Sequence, residues 1–227
     1  MNILEQIIKF KREEVDNQKR MVSVKGLEKS PWFERKALSL AASIKRPDKT
    51  GIITEFKRRS PSKGDINTSA SVVETTTAYV SAGASGLSVL TDTKFFGGSS
   101  EDLIAARKAN PECPILRKDF TIDEYQIIEA KSIGADAILL IAAVMPADES
   151  ERLARVAHSL GLEVLLEVHD EEELNAHRGI GADLIGVNNR NLKTFEVSTE
   201  ISKRLSPLIP EEVVKVSESG ISKPEAI

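Results

Sequence analysis

At 227 residues, with 41% hydrophobic and 29% charged side chains, the chain has the size and composition of one large α/β domain. A formal net charge of -4 argues against nucleic acid and membrane surfaces as partners, since both favour basic patches. The single cysteine, Cys113, excludes an intrachain disulfide and a cysteine-rich metal site, and no metal is expected.

Residues 2–20 place Ile3, Leu4, Ile7, Ile8 and Val15 at helical spacing with charges between them, which predicts an amphipathic helix ahead of the main repeat. This opening lacks the apolar core of a signal peptide. A second helical stretch is expected from Trp32 to Ile44, after the breaker Ser30-Pro31, and residues 46–51 read as a loop. From Gly51 onward, strands and helices alternate. The strands are expected at 51–56, 86–90, 114–118, 136–141, 162–168, 183–187 and 213–217, and they are apolar almost throughout, as in parallel sheets buried on both faces. The helices between them are expected at 68–82, 99–109, 122–133, 147–160, 170–178 and 198–206. The longest apolar run, Ala137 to Met145, is far short of the roughly 20 residues that span a bilayer, so a soluble, cytoplasmic protein is expected.

Three segments repeat a pattern: Ser81-Ala82-Gly83-Ala84-Ser85, Ser132-Ile133-Gly134-Ala135-Asp136 and Gly179-Ile180-Gly181-Ala182-Asp183 each end a helix and start a strand. Repetition of this kind favours a (βα) barrel over an open sheet. The expected organisation is one barrel domain over 1–227, with a helical extension over 1–48 and strands one to seven over 49–227. Gly179-Ile180-Gly181 precedes its strand, whereas a dinucleotide-binding fingerprint follows one. A Walker sequence and a Gly-x-Ser-x-Gly elbow are both absent.

Several strands end in polar residues, which is costly unless those residues pair or do chemistry. Ile53, Glu55 and Lys57 share one strand face, and Lys118 shares one with Leu116. Glu167, Asn188 and Glu218 close three more strands, so the strand ends describe a polar mouth. A lysine there can serve as general acid and a carboxylate as base or acid; equally, Lys118 fits a strand end bent to solvent and Glu167 a buried salt-bridge partner. Asn188-Asn189-Arg190 can orient hydroxyls and a carboxylate or form a plain Asn-rich turn. Ser219 and Gly220 offer backbone N–H groups to a phosphate oxygen or make a routine turn. The Phe95-Phe96-Gly97-Gly98-Ser99 loop suits covering an aromatic ring or packing on the rim. The Lys57-Arg58-Arg59 cluster can hold a small anion, whereas His158, His169 and His177 lack metal-ligand spacing and read as surface or structural.

Together these strings resemble one family. Glu55-Phe56-Lys57-Arg58-Arg59-Ser60-Pro61-Ser62, Leu116-Arg117-Lys118-Asp119-Phe120, Leu166-Glu167-Val168-His169, Asn188-Asn189-Arg190-Asn191-Leu192 and Ser217-Glu218-Ser219-Gly220-Ile221 are similar, in order and spacing, to the indole-3-glycerol-phosphate synthases. The resemblance implies a (βα)8 TIM-type barrel with an N-terminal helical extension. It implies a carbon–carbon lyase (carboxy-lyase) of tryptophan biosynthesis that needs no cofactor. The substrate would be the phosphorylated, anthranilate-derived 1-(2-carboxyphenylamino)-1-deoxyribulose 5-phosphate, closed, decarboxylated and dehydrated to indole-3-glycerol phosphate. Other enzymes of that pathway would be its protein partners.

By the same resemblance, Lys118 is the general acid, Glu167 serves the proton transfers of dehydration, Lys57 is a substrate-binding second acid and Glu55 orients it. Asn188 and Arg190 would position polar groups and Glu218 a hydroxyl. Ser60 would touch the substrate, Ser219 and Gly220 would form half of a phosphate cradle, and Phe95 and Phe120 would flank the aromatic ring. Only seven strands are countable before Ile227, so an eighth is expected to be missing and the chain's own activity to be low. Two rivals remain: a barrel isomerase acting on a ribosyl-anthranilate, and an inactive barrel used only for binding. The isomerase would want a cysteine or aspartate pair at strand ends, whereas Cys113 begins a strand.

Overall fold

The computed structural model describes residues 2–191, 194–221 and 223. Leu192 and residues 224–227 lie outside the described residues.

Seven strands form a parallel sheet in sequential order: β1 (Ile53–Phe56), β2 (Gly86–Leu90), β3 (Ile115–Lys118), β4 (Ala137–Ile141), β5 (Glu163–Val168), β6 (Leu184–Asn188) and β7 (Val214–Glu218). Each is within about two residues of its expected bounds, because unbroken runs of Ile, Leu and Val bounded by Gly, Pro and charged residues leave little latitude. The helices are α1 (Ile3–Met21), α2 (Val72–Ser81), α3 (Ser100–Ala109), α4 (Glu124–Ser132), α5 (Ala147–Ser159), α6 (Glu171–His177) and α7 (Glu200–Leu205), with shorter turns at Val24–Leu27, Leu40–Ile44 and Thr93–Phe96. A two-residue antiparallel hairpin, Arg59–Ser60 with Gly64–Asp65, follows β1. The three repeated glycines, Gly83, Gly134 and Gly181, have φ of 92°, 92° and 81°; Gly83 and Gly134 directly follow the C-caps of α2 and α4 and end those helices without steric cost, whereas Gly181 lies four residues beyond His177, the last of α6.

The two faces of the sheet bury different residues. Ile138 and Leu140 of β4 and Val164 and Leu166 of β5 pack outward with the helices, in a cluster that includes Leu103, Ile127, Leu153 and Leu174. Their neighbours Leu139, Ile141 and Leu165 pack inward with Leu116, Leu184 and Val214, joined by Ile53 and Val216. Strands β1 and β7 thus share one inner cluster although no hydrogen bond pairs them, so the sheet is curled. Leu40, fully buried, joins that inner cluster. Among the described residues, no helix is long and apolar enough to cross a membrane.

The segment from Trp32 to Ile44 departs from expectation. Only Leu40–Ile44 is helical, capped by Ser39, and residues 31–35 form turns. Arg35 donates to the carbonyls of Gly134 and Ala135 and to Asp136, while the Leu38 amide donates to Asp136 Oδ1 at 2.8 Å. These bonds tie the segment to the residues leading into β4, so tertiary contacts override local periodicity.

Helix α1 opens with a capping box, Asn2 with Glu5, and buries Ile7, Lys11 and Val15. Lys11 is fully buried, 2.9 Å from Asp119 Oδ1, 3.1 Å from Asp92 Oδ2 and 2.9 Å from Glu14 Oε1. Asp92 leaves β2 and Asp119 leaves β3, so the extension is pinned beside the mouth.

Candidate active site

Strand register sets the mouth. Lys118 lies opposite Leu90, Glu167 opposite both Ile141 and Gly186, and Glu218 opposite Asn188. Because Lys118 and Glu167 follow the inward-facing Leu116 and Leu165 by two residues, both point into the curl. The Lys118 ammonium donates to Glu167 Oε2 at 3.0 Å and to Glu218 Oε2 at 2.6 Å. Asn188 Nδ2 donates to Glu167 Oε1 at 3.0 Å. Lys57 is hydrogen-bonded to Glu55, whose other oxygen lies 3.4 Å from Ser88 Oγ. Glu218 Oε1 is buried and lacks a hydrogen-bond partner, which leaves one carboxylate oxygen free to accept.

A glycine makes this arrangement possible. A Cβ built on Gly186 would lie 2.1 Å from Glu218 Oε1, so any side chain there would displace the carboxylate.

Other expected residues are placed less centrally. Ser60 is buried in the hairpin after β1, where its hydroxyl accepts from the Lys63 amide at 3.2 Å. Arg190 stays within its own loop, where its amide donates to Asn188 Oδ1 and its guanidinium to the Phe195 carbonyl. Ser219 and Gly220 both have positive φ, 66° and 78°, and the Ser219 carbonyl accepts from Asn189 Nδ2. Phe95 does not face Phe120. It packs edge-on against Phe10 of α1 at 6.0 Å, and it is Phe96 that lies 5.9 Å from Phe120. The reason is the turn Thr93–Phe96, which Asp92 caps by accepting from the Phe95 and Phe96 amides and so fixes which ring points each way. Arg58 is likewise not free for an anion, being bonded to Asp102 and stacked 4.8 Å from the Phe56 ring.

Of the surface and structural readings of His169, burial disfavours the first: its side chain is largely buried, with Nε2 3.3 Å from Glu167 Oε1. His158 is partly exposed beside Asp183, and His177 is buried against the carbonyls of Glu173 and Met145. Cys113 is buried just before β3, at the opposite end of the strand from Lys118, and burial pushes its thiol up. Among the described residues, no cluster of three His, Cys, Asp or Glu side chains is arranged for a metal. A cavity of about 460 Å³ lies under α1, lined by Phe10, Glu14, Thr91, Lys94 and Arg117; Lys118 and Glu167 do not line it.

Comparison with known proteins gives the family. The family described as "Indole-3-glycerol phosphate synthase" matches residues 4–227. The indole-3-glycerol phosphate synthase of Bacteroides thetaiotaomicron is 50% identical over 226 residues, covering 100% of this chain and 86% of that protein. That of Neisseria meningitidis serogroup C is 45% identical over 224 residues, covering 97% of this chain and 85% of the relative. The chain belongs to the indole-3-glycerol phosphate synthase family. Among solved structures, the N-acetylmannosamine-6-phosphate 2-epimerase from Clostridium perfringens superposes with a TM-score of 0.55 at 14% identity, over 68% of this chain and 70% of that one, a likeness of fold alone.

In this synthase-family site, charge and burial oppose each other. Burial alone favours a neutral amine at Lys118, but the combined pull of Glu218, Glu167 and Glu55 outweighs it and holds the ammonium above the ordinary lysine value. Burial would raise Glu167, yet Lys118, His169 and Asn188 keep it ionised and below the usual carboxylate range. Burial raises Glu218, and repulsion from Glu167 and Glu55 adds to it against the pull of Lys118. The site therefore offers a fixed proton donor, an ionised carboxylate beside it, and a second carboxylate that protonates more readily.

Proposed function

We propose that this chain is an indole-3-glycerol-phosphate synthase in activity as well as in family. It takes 1-(2-carboxyphenylamino)-1-deoxyribulose 5-phosphate and releases carbon dioxide and water. The observation that carries the reading is the Lys118 ammonium held between Glu167 and Glu218 at the strand ends. As the ring carbon bearing the carboxylate attacks the ketone carbon, the ketone oxygen becomes basic, and Lys118 supplies its proton. The carbon–carboxylate bond then breaks, its electron pair restores the aromatic ring, and carbon dioxide leaves. The new hydroxyl departs as water with a proton from an acid, for which Lys57 is assigned. Glu167 accepts the proton lost as the indole double bond forms.

Asn188 orients Glu167, Glu55 orients Lys57, and the free oxygen of Glu218 suits a substrate hydroxyl. Phe120 with Phe96 is the aromatic wall, while Ser60, Arg190, Ser219 and Gly220 are assigned to the substrate's polar groups and phosphate. Phe95 acts through α1, not on the ring. We assign the seven-stranded curl to a TIM-type (βα)8 barrel, supported by its sequential parallel order and shared inner cluster. A cytoplasmic location and partnership with other tryptophan-pathway enzymes belong to the same reading. The rival isomerase is disfavoured by the inert, buried Cys113.

The test is indole fluorescence on incubation with the deoxyribulose substrate. Product from the unmutated protein and a loss of about 10²- to 10⁴-fold in Lys118→Ala support the assignment. A protein that forms no indole product overturns it.

A further inference from the structure

His169 sits one residue beyond β5 and is largely buried, with its side chain 10% exposed. Its two ring nitrogens face different carboxylates. Nδ1 is 3.0 Å from Glu173 Oε2, an oxygen that also accepts from the His169 amide at 2.8 Å. Nε2 makes no fully aligned hydrogen bond and lies at ion-pair distance, 3.3 Å, from Glu167 Oε1. Ionised carboxylates only accept, so a ring that faces one at each nitrogen is satisfied only with a proton on both. Glu173 belongs to the first turn of α6, and its amide is tied to the Asp170 carboxylate at 2.9 Å, so the anchor is itself held.

We propose that His169, clamped by Glu173, is a positioning residue for the proposed base Glu167, orienting its carboxylate and keeping it ionised for proton transfer. The proposal rests on the role of Glu167 given above and adds a partner from outside the mouth. The division of labour is visible at the carboxylate: Oε2 is held by Lys118, while Oε1 is held by Asn188 at 3.0 Å and approached by His169. Asn188 supplies direction without charge. His169 supplies a cation that does not leave when the Lys118 ammonium turns to the substrate.

The charged groups that bear on this imidazole are Glu167 from its own strand and Glu173 from α6, with Lys118 of β3 and Glu218 of β7 reaching it through Glu167. The two adjoining carboxylates outweigh burial and push its pKa up to about 9.

Two measurements test the proposal. In an NMR titration of the His169 ring, the expected result is a pKa near 9 that falls by about one unit or more in both Glu167→Gln and Glu173→Gln. In steady-state kinetics, His169→Ala is expected to lower kcat by about 10- to 100-fold with KM changed by less than about threefold. The acid limb of its kcat profile moves up by about one pH unit, because loss of the imidazolium lets Glu167 protonate more readily. His169→Gln, which keeps an N–H donor but no charge, is expected to regain part of kcat and keep the displaced limb. A merely structural role would lower the active fraction without moving the limb.

An unshifted limb in His169→Ala, or a wild-type ring that titrates near the ordinary value of about 6.5, overturns the proposal. The ring titration needs no turnover. If the unmutated protein forms no indole product, the functional reading fails separately while the NMR arm still decides whether the contact exists.

Discussion

Replacing Lys118 by methionine tests the electrostatic account most directly, because it removes a charge while nearly preserving volume. The ammonium lies 3.0 Å from one carboxylate and 2.6 Å from another. At an effective dielectric of about 20, each pair is worth roughly 6 kcal/mol of attraction, offset by several kcal/mol for desolvating each ion. Removing the cation leaves Glu167 and Glu218 buried and facing each other, a situation that costs about 3–5 kcal/mol. In the variant Glu218, already raised by burial and by repulsion from Glu167, loses the pull of Lys118 and titrates further above its unfolded value of about 4.3, while His169 still faces Glu167. Groups raised in this way contribute stability that is fully present below the unfolded value and lost as pH rises through the folded one. The deficit against wild type, read from urea unfolding, is therefore expected to be largest near pH 8 and to shrink as pH falls to about 5. A deficit that stays constant across that range, or no deficit at pH 8, would mean that the amine does not compensate these charges.

Gly186→Ala is expected to keep the fold but to push Glu218 off Lys118, since its Cβ would lie 2.1 Å from Glu218 Oε1; the overpacking costs about 1–3 kcal/mol in urea unfolding, and kcat falls while the circular dichroism spectrum is unchanged. Lys11→Met leaves Asp92 buried without its cation and Asp119 with Arg117 alone, so a loss of about 3–5 kcal/mol is expected by urea unfolding at pH 7. His169, raised to about 9, contributes stability that is fully present below about pH 6.5 and lost as pH rises towards 9; a shift of that size is worth about 3 kcal/mol, and the slope should flatten in His169→Gln.

The strands and the mouth were legible because period-two alternation is strict where both faces are buried. Leu116 and Leu165 fix the inner face, and Lys118 and Glu167 inherit it two residues later. The same rule carried one step further puts His169 on the face of Glu167, a signal that metal-ligand spacing alone does not carry. Lys11 left a similar trace, since Ile7, Lys11 and Val15 recur every four residues on the buried face of α1. A lysine in that pattern reads as an interruption until its carboxylates arrive from Asp92 and Asp119, far along the chain. Which of Phe95 and Phe96 meets Phe120 was not legible, because a four-residue capped turn sets it. The segment from Trp32 misled for a related reason: Arg35 and Leu38 bond to residues about 100 positions away, which local periodicity cannot register.

The placement of the charges also explains why the fold and the chemistry are hard to separate. Glu55, Lys118, Glu167 and Glu218 come from β1, β3, β5 and β7, the alternate strands that fill one layer of a barrel core. Two residues earlier on the same strands stand Ile53, Leu116, Leu165 and Val216, all in the inner apolar cluster. The polar layer is thus the next tier of the same packing pattern, with carboxylates and an amine in place of branched aliphatics. Lys118 spans that tier to partners 49 and 100 residues away in sequence, so it ties together strands that are not hydrogen-bonded neighbours. A tier made this way cannot be silent. Its groups are desolvated by the aliphatic tier beneath, which strengthens their attraction.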